Sequence, residues 1–178
     1  SSLAGVVAGA REAGAEAVGM RFGIQGFLDG RTVALDEALP DADALELLRR
    51  TPSSWLGSCR FKLPALDAEG ADEFYQKAFA AFADGSFDAV LYIGGNDSMD
   101  TIAKLGAYGA RIDSPIRFIG VPKTIDNDLV GIDHTPGYGS AARFVATAVS
   151  EVSRDADVYD LKSVTFVEIM GRDAGWLA

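Results

Sequence analysis

The sequence predicts an α/β protein with a mostly parallel sheet. Helix-period and strand-period apolar patterns alternate along the chain with short breaks between them. The stretch Phe87–Ile93 is an almost unbroken apolar run of strand length, as expected for a strand covered on both faces. Three loops of unusual composition, 94–98, 122–128 and 170–175, each follow a predicted strand. In an open parallel sheet that is where ligands bind.

The elements follow in order. Leu3, Val6, Val7, Ala10 and Ala13 repeat at helical spacing and Gly14 stops the helix; residues 15–20 then read as a short strand. The acidic run from Asp36 to Asp43 reads as a solvated loop and helix start. Phe74, Ala78, Ala81 and Phe82 mark one helix, ended by Asp84-Gly85. After the strand at 87–93, Met99, Ile102, Ala103 and Gly106 predict the next helical face. Residues 116–121 form a strand closed by Pro122, 139–154 a long amphipathic helix, and 164–169 a last strand. The chain opens inside a helical pattern, and a further helical pattern begins within 171–178. A piece of a longer protein is the expectation, lacking at least one strand in front and a large part behind.

Composition narrows the class. Of 178 residues 48% are hydrophobic and 24% charged, which is globular rather than disordered. A net charge of −10 argues against nucleic acid or an anionic membrane as the main partner. An anionic small molecule would need a local basic cluster or a metal ion. The single cysteine, Cys59, cannot form an internal disulfide, which fits a reducing cytosol; it reads as a small packed residue. No apolar run approaches the roughly 18 residues of a membrane span, so a cytoplasmic protein is expected.

Two loops carry candidate chemistry. In Gly94-Gly95-Asn96-Asp97-Ser98 the glycines permit close backbone approach, and the following helix offers free N–H groups. Asp97 or Ser98 would equally serve as a helix N-cap. The loop matches neither the dinucleotide fingerprint nor the P-loop. Pro122-Lys123-Thr124-Ile125-Asp126-Asn127-Asp128 gathers a base (Asp126), a cation (Lys123) and a metal-type carboxylate (Asp128) behind a strand. Phosphoryl transfer needs such parts, although a solvated turn uses Asn and Asp freely as well. His134 and the two tryptophans, Trp55 and Trp176, read as a solvated loop residue and packing residues. Arg143 either faces the site or pairs with a surface acid.

GGNDS, PKTIDND, TPGYGSAARFVAT and VEIMGRDAGWLA, with RFGIQGFLDG and LGSCRF before them, together resemble the phosphofructokinase superfamily, most closely its pyrophosphate-dependent branch. The resemblance covers nearly the whole chain in order. It implies a Rossmann-like, doubly wound parallel sheet truncated at both ends, with a donor-binding lobe over 1–137 and the start of a sugar-phosphate lobe over 138–178. It implies transfer of a phosphoryl group from pyrophosphate to the 1-hydroxyl of fructose 6-phosphate, with Mg²⁺, by a homo-oligomer (dimer or tetramer). Asp126 falls on the general base and Lys123 on a cation that stabilises the transferring phosphoryl oxygens. Arg60, Phe61, Gly95, Asn96, Asp97 and Ser98 fall on donor positions. Thr124, Ile125, Asp126, Met170, Gly171 and Arg172 fall on sugar-phosphate positions. ATP-using members have glycines where this chain has Asp97 and Lys123, so the pair implies a donor switch: the carboxylate repels the extra phosphate of ATP while the lysine serves the shorter donor.

Two departures stand out. The family's magnesium carboxylate is Asn96 here, an amide that ligates without charge, so Asp128 or Asp97 would have to supply it. An arginine that many members place before MGR is Ser163, with Lys162 beside it. The rival readings are ATP as donor, another sugar phosphate such as sedoheptulose 7-phosphate as acceptor, and a silent sugar-phosphate-binding subunit. A nucleotide or lipid kinase with a related glycine loop would lack TIDND and MGR. The 178-residue chain alone is expected to be inactive.

Overall fold

A computed structural model describes residues 2–178. The first helix, α1 (Ser2–Glu12), turns Ala4 and Val7 inward, as its spacing requires. Strand β1 (Val18–Met20) follows, then the short helix α2 (Gly23–Leu28) and strand β2 (Thr32–Ala34). β1 pairs with β2 antiparallel, Val18 opposite Ala34 and Met20 opposite Thr32. The parallel expectation therefore fails for this strand. A three-residue segment such as Thr32–Ala34 carries too little period-2 pattern to be seen in the sequence.

Two helices, α3 (Leu35–Ala38) and α4 (Ala42–Arg50), come next. Asp41 caps α4 by accepting from the Ala44 N–H at 2.8 Å. Asp36 is not a plain solvated residue: its carboxylate takes Arg11 Nε and the Ala17 N–H, both at 3.3 Å. Trp55 packs on the small core formed here by Val7, Leu35 and Leu48.

The main core lies under α5 (Ala71–Asp84), β3 (Ala89–Gly94), α6 (Asn96–Arg111) and β4 (Arg117–Pro122). Tyr75, Phe82 and Leu105 are fully buried in it. Its aromatic rings stack, Phe27 on Phe82 at 5.0 Å and Tyr75 on Tyr108 at 4.8 Å, pairings worth about 0.5–1.5 kcal/mol each beyond the area they bury. Cys59 packs at its edge, as expected. β3 and β4 are neighbours in one sheet. The Arg117 N–H donates to Asp88 O and the Lys123 N–H to Gly94 O, at the same sequence offset, so the two strands run parallel with α6 as crossover. A β-carbon at Gly120 would lie 2.8 Å from Met99 Sδ, so the flexible Met99 side chain would have to shift to admit one. Ala103 is exposed; the buried face of α6 runs through Thr101, Ile102, Leu105, Tyr108 and Gly109 instead.

The chain divides into two compact units, one of residues 1–93 and 97–121, the other of 94–96 and 122–178. The second unit carries α7 (Tyr138–Ala156), which matches the predicted long helix. Its stripe is not a core face: none of its residues is buried, and Phe144 is 73% exposed. Residues 164–169, expected as a strand, carry no regular secondary structure and join no ladder among the described residues. Apolar pattern reports a tendency to be covered, whereas a strand needs a neighbour. The 171–178 segment forms turns rather than a helix. No helix among the described residues is long and apolar enough to cross a membrane.

Candidate functional site

Helix α6 begins at Asn96, so Asp97, in the first unit, lies within its first turn and is not the cap. A carboxylate is favoured there by the unpaired N–H groups and the helix dipole. Its partner is Lys62, whose Nζ is 3.1 Å from Asp97 Oδ1; the two side chains are 75% and 71% exposed. Lys62 was not singled out by the sequence, since a lone lysine two positions after Arg60 belongs to no pattern. Arg60 is exposed. Phe61 turns its ring onto Phe74, 5.5 Å away, and so anchors the same loop by packing. Ser98 is half-buried one residue after Asp97.

The second unit holds the richer constellation. Thr124 and Gly137 form an isolated parallel bridge. The loop between them is closed by side chains. Thr135 Oγ1 donates to Thr124 O at 2.8 Å, the Thr135 N–H donates to Asn127 Oδ1 at 2.9 Å, and Asn127 Nδ2 donates to Asp133 O at 3.0 Å. Asn127 has φ +54, a left-handed conformation that Asn tolerates better than most residues. Neither Asn127 nor Thr135 was picked out from sequence, because a turn asparagine and a distant threonine signal nothing until the loop closes. His134 is exposed on the same loop.

This closure fixes Asp126. Its N–H donates to Thr124 Oγ1 at 3.1 Å, and the residue is only 4% exposed. Arg172 Nε lies 3.2 Å from Asp126 Oδ2. Asp126 Oδ1 is buried and has no hydrogen-bond partner among the described residues. Buried carboxylate oxygens are normally paired, so an unpaired one calls for a donor that arrives from outside.

Arg172 itself has φ +50, unusual for a non-glycine residue, and Gly171 before it cannot be replaced freely, because a β-carbon would lie 2.2 Å from Ala174 O. The MGR turn is thus shaped to bring the guanidinium to Asp126. Met170 is 69% exposed, and it lines with Gly171 and Arg172 an open cavity of about 540 Å³. Ile125 is exposed beside Asp126.

Asn96 and Asp128 also meet. Asn96 Nδ2 donates to Asp128 Oδ2 at 2.8 Å, and Asp128 Oδ1 is buried without a partner among the described residues. Gly95 has open space by comparison: a β-carbon would make only ordinary contacts with Lys123 O and Thr124 Cβ, at 3.7 and 3.8 Å. Packing does not require the glycine. Lys123 is exposed, its N–H spent on Gly94 O. Arg143 is exposed and makes no ion pair among the described residues. Trp176, expected to pack, is 64% exposed.

Comparison with known proteins gives these residues a frame. The family model described as Phosphofructokinase matches residues 1–178. A pyrophosphate–fructose 6-phosphate 1-phosphotransferase from Xanthomonas campestris is 39% identical over 180 residues, which is all of this chain and 42% of that protein. A sulfofructose kinase from Alkalicoccus urumqiensis is 34% identical over 158 residues, 88% of this chain and 39% of that protein. The crystal structure of a pyrophosphate-dependent phosphofructokinase from Marinobacter aquaeolei superposes with a TM-score of 0.75 at 35% identity, covering 87% of this chain and 37% of that one. The chain thus spans well under half the length of the relatives it matches. With a family model matched end to end and an α/β fold shared with a solved member, the chain belongs to the phosphofructokinase family.

Proposed function

We propose that the protein carrying this chain transfers a phosphoryl group from pyrophosphate to the 1-hydroxyl of fructose 6-phosphate, giving fructose 1,6-bisphosphate and phosphate. The observation that carries the reading is the carboxylate of Asp126, buried, with one oxygen held by Arg172 and the other unpartnered among the described residues. A general base has to be within hydrogen-bond reach of the proton it takes, and Oδ1 is the oxygen left for that task. As the sugar oxygen bonds to phosphorus, its proton passes to Asp126. The bridging P–O bond breaks, and the released phosphate keeps the electron pair. Arg172 keeps Oδ2 in place, and Thr124 fixes the backbone of Asp126. Lys123 offers an ammonium to the phosphoryl oxygens, whose charge spreads during transfer. Asp97, in the first turn of α6 and paired with the exposed Lys62, is assigned to the donor by its match to the family's donor positions.

The residues fit a magnesium ion held by few protein ligands. Asp128 Oδ1 is buried and unpartnered, and the Asn96 amide lies against the same carboxylate. Magnesium commonly keeps most of its waters and takes one or two carboxylates together with substrate phosphates. Asp128 would hold it, with Asn96 beside it. When bound, the ion neutralises charge on the donor phosphates. A cytoplasmic homo-oligomer completes the proposal, checked by sedimentation of the full-length protein.

The test is product formation by the full-length protein, with pyrophosphate and ATP supplied separately and fructose 6-phosphate or sulfofructose as acceptor. Turnover of fructose 6-phosphate with pyrophosphate is expected. Turnover of sulfofructose alone would replace the acceptor. Binding of the sugar phosphate without turnover by either donor would mark a silent subunit.

A further inference from the structure

Three consecutive residues after Arg60 and Phe61 are each held by a different group. Lys62 Nζ meets Asp97 Oδ1 at 3.1 Å, Leu63 O accepts from Lys104 Nζ at 3.2 Å, and Pro64 O accepts from Tyr75 Oη at 2.8 Å. Tyr75 and Leu63 are buried, and Lys104 is itself steadied by Asp100, one turn earlier on α6, at 2.7 Å. These two part-buried anchors thus fix the backbone on the C-terminal side of Lys62, and Phe61, packed on Phe74, fixes the other side. The loop delivers the ammonium of Lys62 to Asp97.

Stability does not account for this. Both partners are largely exposed, and a solvent-exposed ion pair contributes little to folding. Asp97 already occupies a favourable place in a helix first turn, so it needs no counter-ion for its own sake. A different need arises from the proposed reaction, on which this inference rests. An exposed carboxylate beside the donor site repels pyrophosphate as well as ATP, since both are polyanions. Something has to remove that repulsion for the short donor while leaving the bulk of Asp97 in the way of the long one.

We propose that Lys62 is a donor-specificity residue that neutralises Asp97, so that pyrophosphate is admitted to a site whose carboxylate excludes ATP. The pair has no net charge, and its carboxylate still occupies space. Lys62 therefore acts on donor binding rather than on chemistry, and a uniform effect on donor binding moves KM and leaves kcat alone.

The experiment uses the full-length protein with pyrophosphate as donor. Variants are Lys62→Met, Lys62→Arg, Asp97→Ala, the Lys62→Met/Asp97→Ala double variant, and Lys77→Met as a control that removes an exposed lysine from α5. Lys62→Met is expected to raise KM for pyrophosphate about tenfold, the size of a lost charge-assisted contact, with kcat, KM for fructose 6-phosphate and Tm unchanged. Lys62→Arg restores KM, Lys77→Met leaves it unmoved, and in the Asp97→Ala background the Lys62→Met effect shrinks to less than about threefold, the signature of coupled residues. An unchanged KM for pyrophosphate in Lys62→Met overturns the proposal while the proposed function stands, because the unsubstituted enzyme reports on that separately. An equal tenfold loss in both backgrounds also overturns it, since Lys62 would then act independently of Asp97. An unsubstituted enzyme that accepts ATP and not pyrophosphate removes the donor reading, and this proposal with it.

Discussion

Arg172 Nε lies 3.2 Å from Asp126 Oδ2, on a carboxylate that is 4% exposed and whose other oxygen has no partner among the described residues. In the proposed reaction Arg172 holds the carboxylate and Asp126 takes the proton, so the two should fail differently when substituted. Replacing Asp126 by Asn keeps the shape and one acceptor oxygen but removes the base. kcat is expected to fall about a hundred- to ten-thousandfold, with KM for the sugar phosphate changed little. Steady-state kinetics on the full-length Asp126→Asn protein checks this; a fall of less than about tenfold would take the base role from Asp126.

Arg172 can be tested for geometry and charge separately. Arg172→Ala leaves a buried carboxylate without its cation. Because the arginine side is 65% exposed, the loss should be about 1–2 kcal/mol, below the figure for fully buried pairs. Arg172→Gly loses the same pair but accepts the left-handed backbone without strain, so it should be more stable than Arg172→Ala by about 1 kcal/mol. Denaturant unfolding of both variants measures the difference.

The two glycine positions make a matched pair. Gly171→Ala drives a β-carbon to 2.2 Å from Ala174 O, a backbone atom that cannot step aside. A loss of about 2–3 kcal/mol is expected. Gly95→Ala meets only ordinary contacts, so Tm should hold while KM for pyrophosphate rises, since only the approach of the donor has been obstructed. Equal stability of the two variants would contradict the account of the MGR turn.

How much of this could be read in the sequence varies by residue. Asp126 and Asp128 stand out in the sequence as candidates because their chemistry resides in residue type and in a motif behind a strand. Arg172 stands out as a candidate, but its contact with Asp126 depends on a loop closed by Thr135 and Asn127, which no local pattern announces. Lys62 is invisible for the same reason: its meaning comes from Asp97, Lys104 and Tyr75, each brought to the loop by tertiary packing. The helices α1, α5, α6 and α7 were legible because a 3.6-residue period accumulates over many residues. β2 was not, having three residues, and 164–169 has the composition of a strand without a neighbour to pair with.

Asn96 against Asp128 gives a prediction about metal. Asn96→Asp replaces a hydrogen bond of 2.8 Å by two like charges at that distance. In chelator the variant should be less stable by about 1–2 kcal/mol, from like-charge repulsion near the surface. Magnesium should restore the loss and bind more tightly than in the unsubstituted protein. Thermal melting with and without magnesium tests both statements, and a variant indifferent to the ion would remove Asp128 from the proposed ligand set.

The donor claim is tested most directly by fructose 1,6-bisphosphate formation in the full-length protein and its Asp97→Gly/Lys123→Gly variant, each with pyrophosphate and with ATP. The account predicts turnover with pyrophosphate and not ATP, and loss of that turnover in the variant. Turnover with ATP alone, or a variant that uses pyrophosphate as well as before, would contradict it.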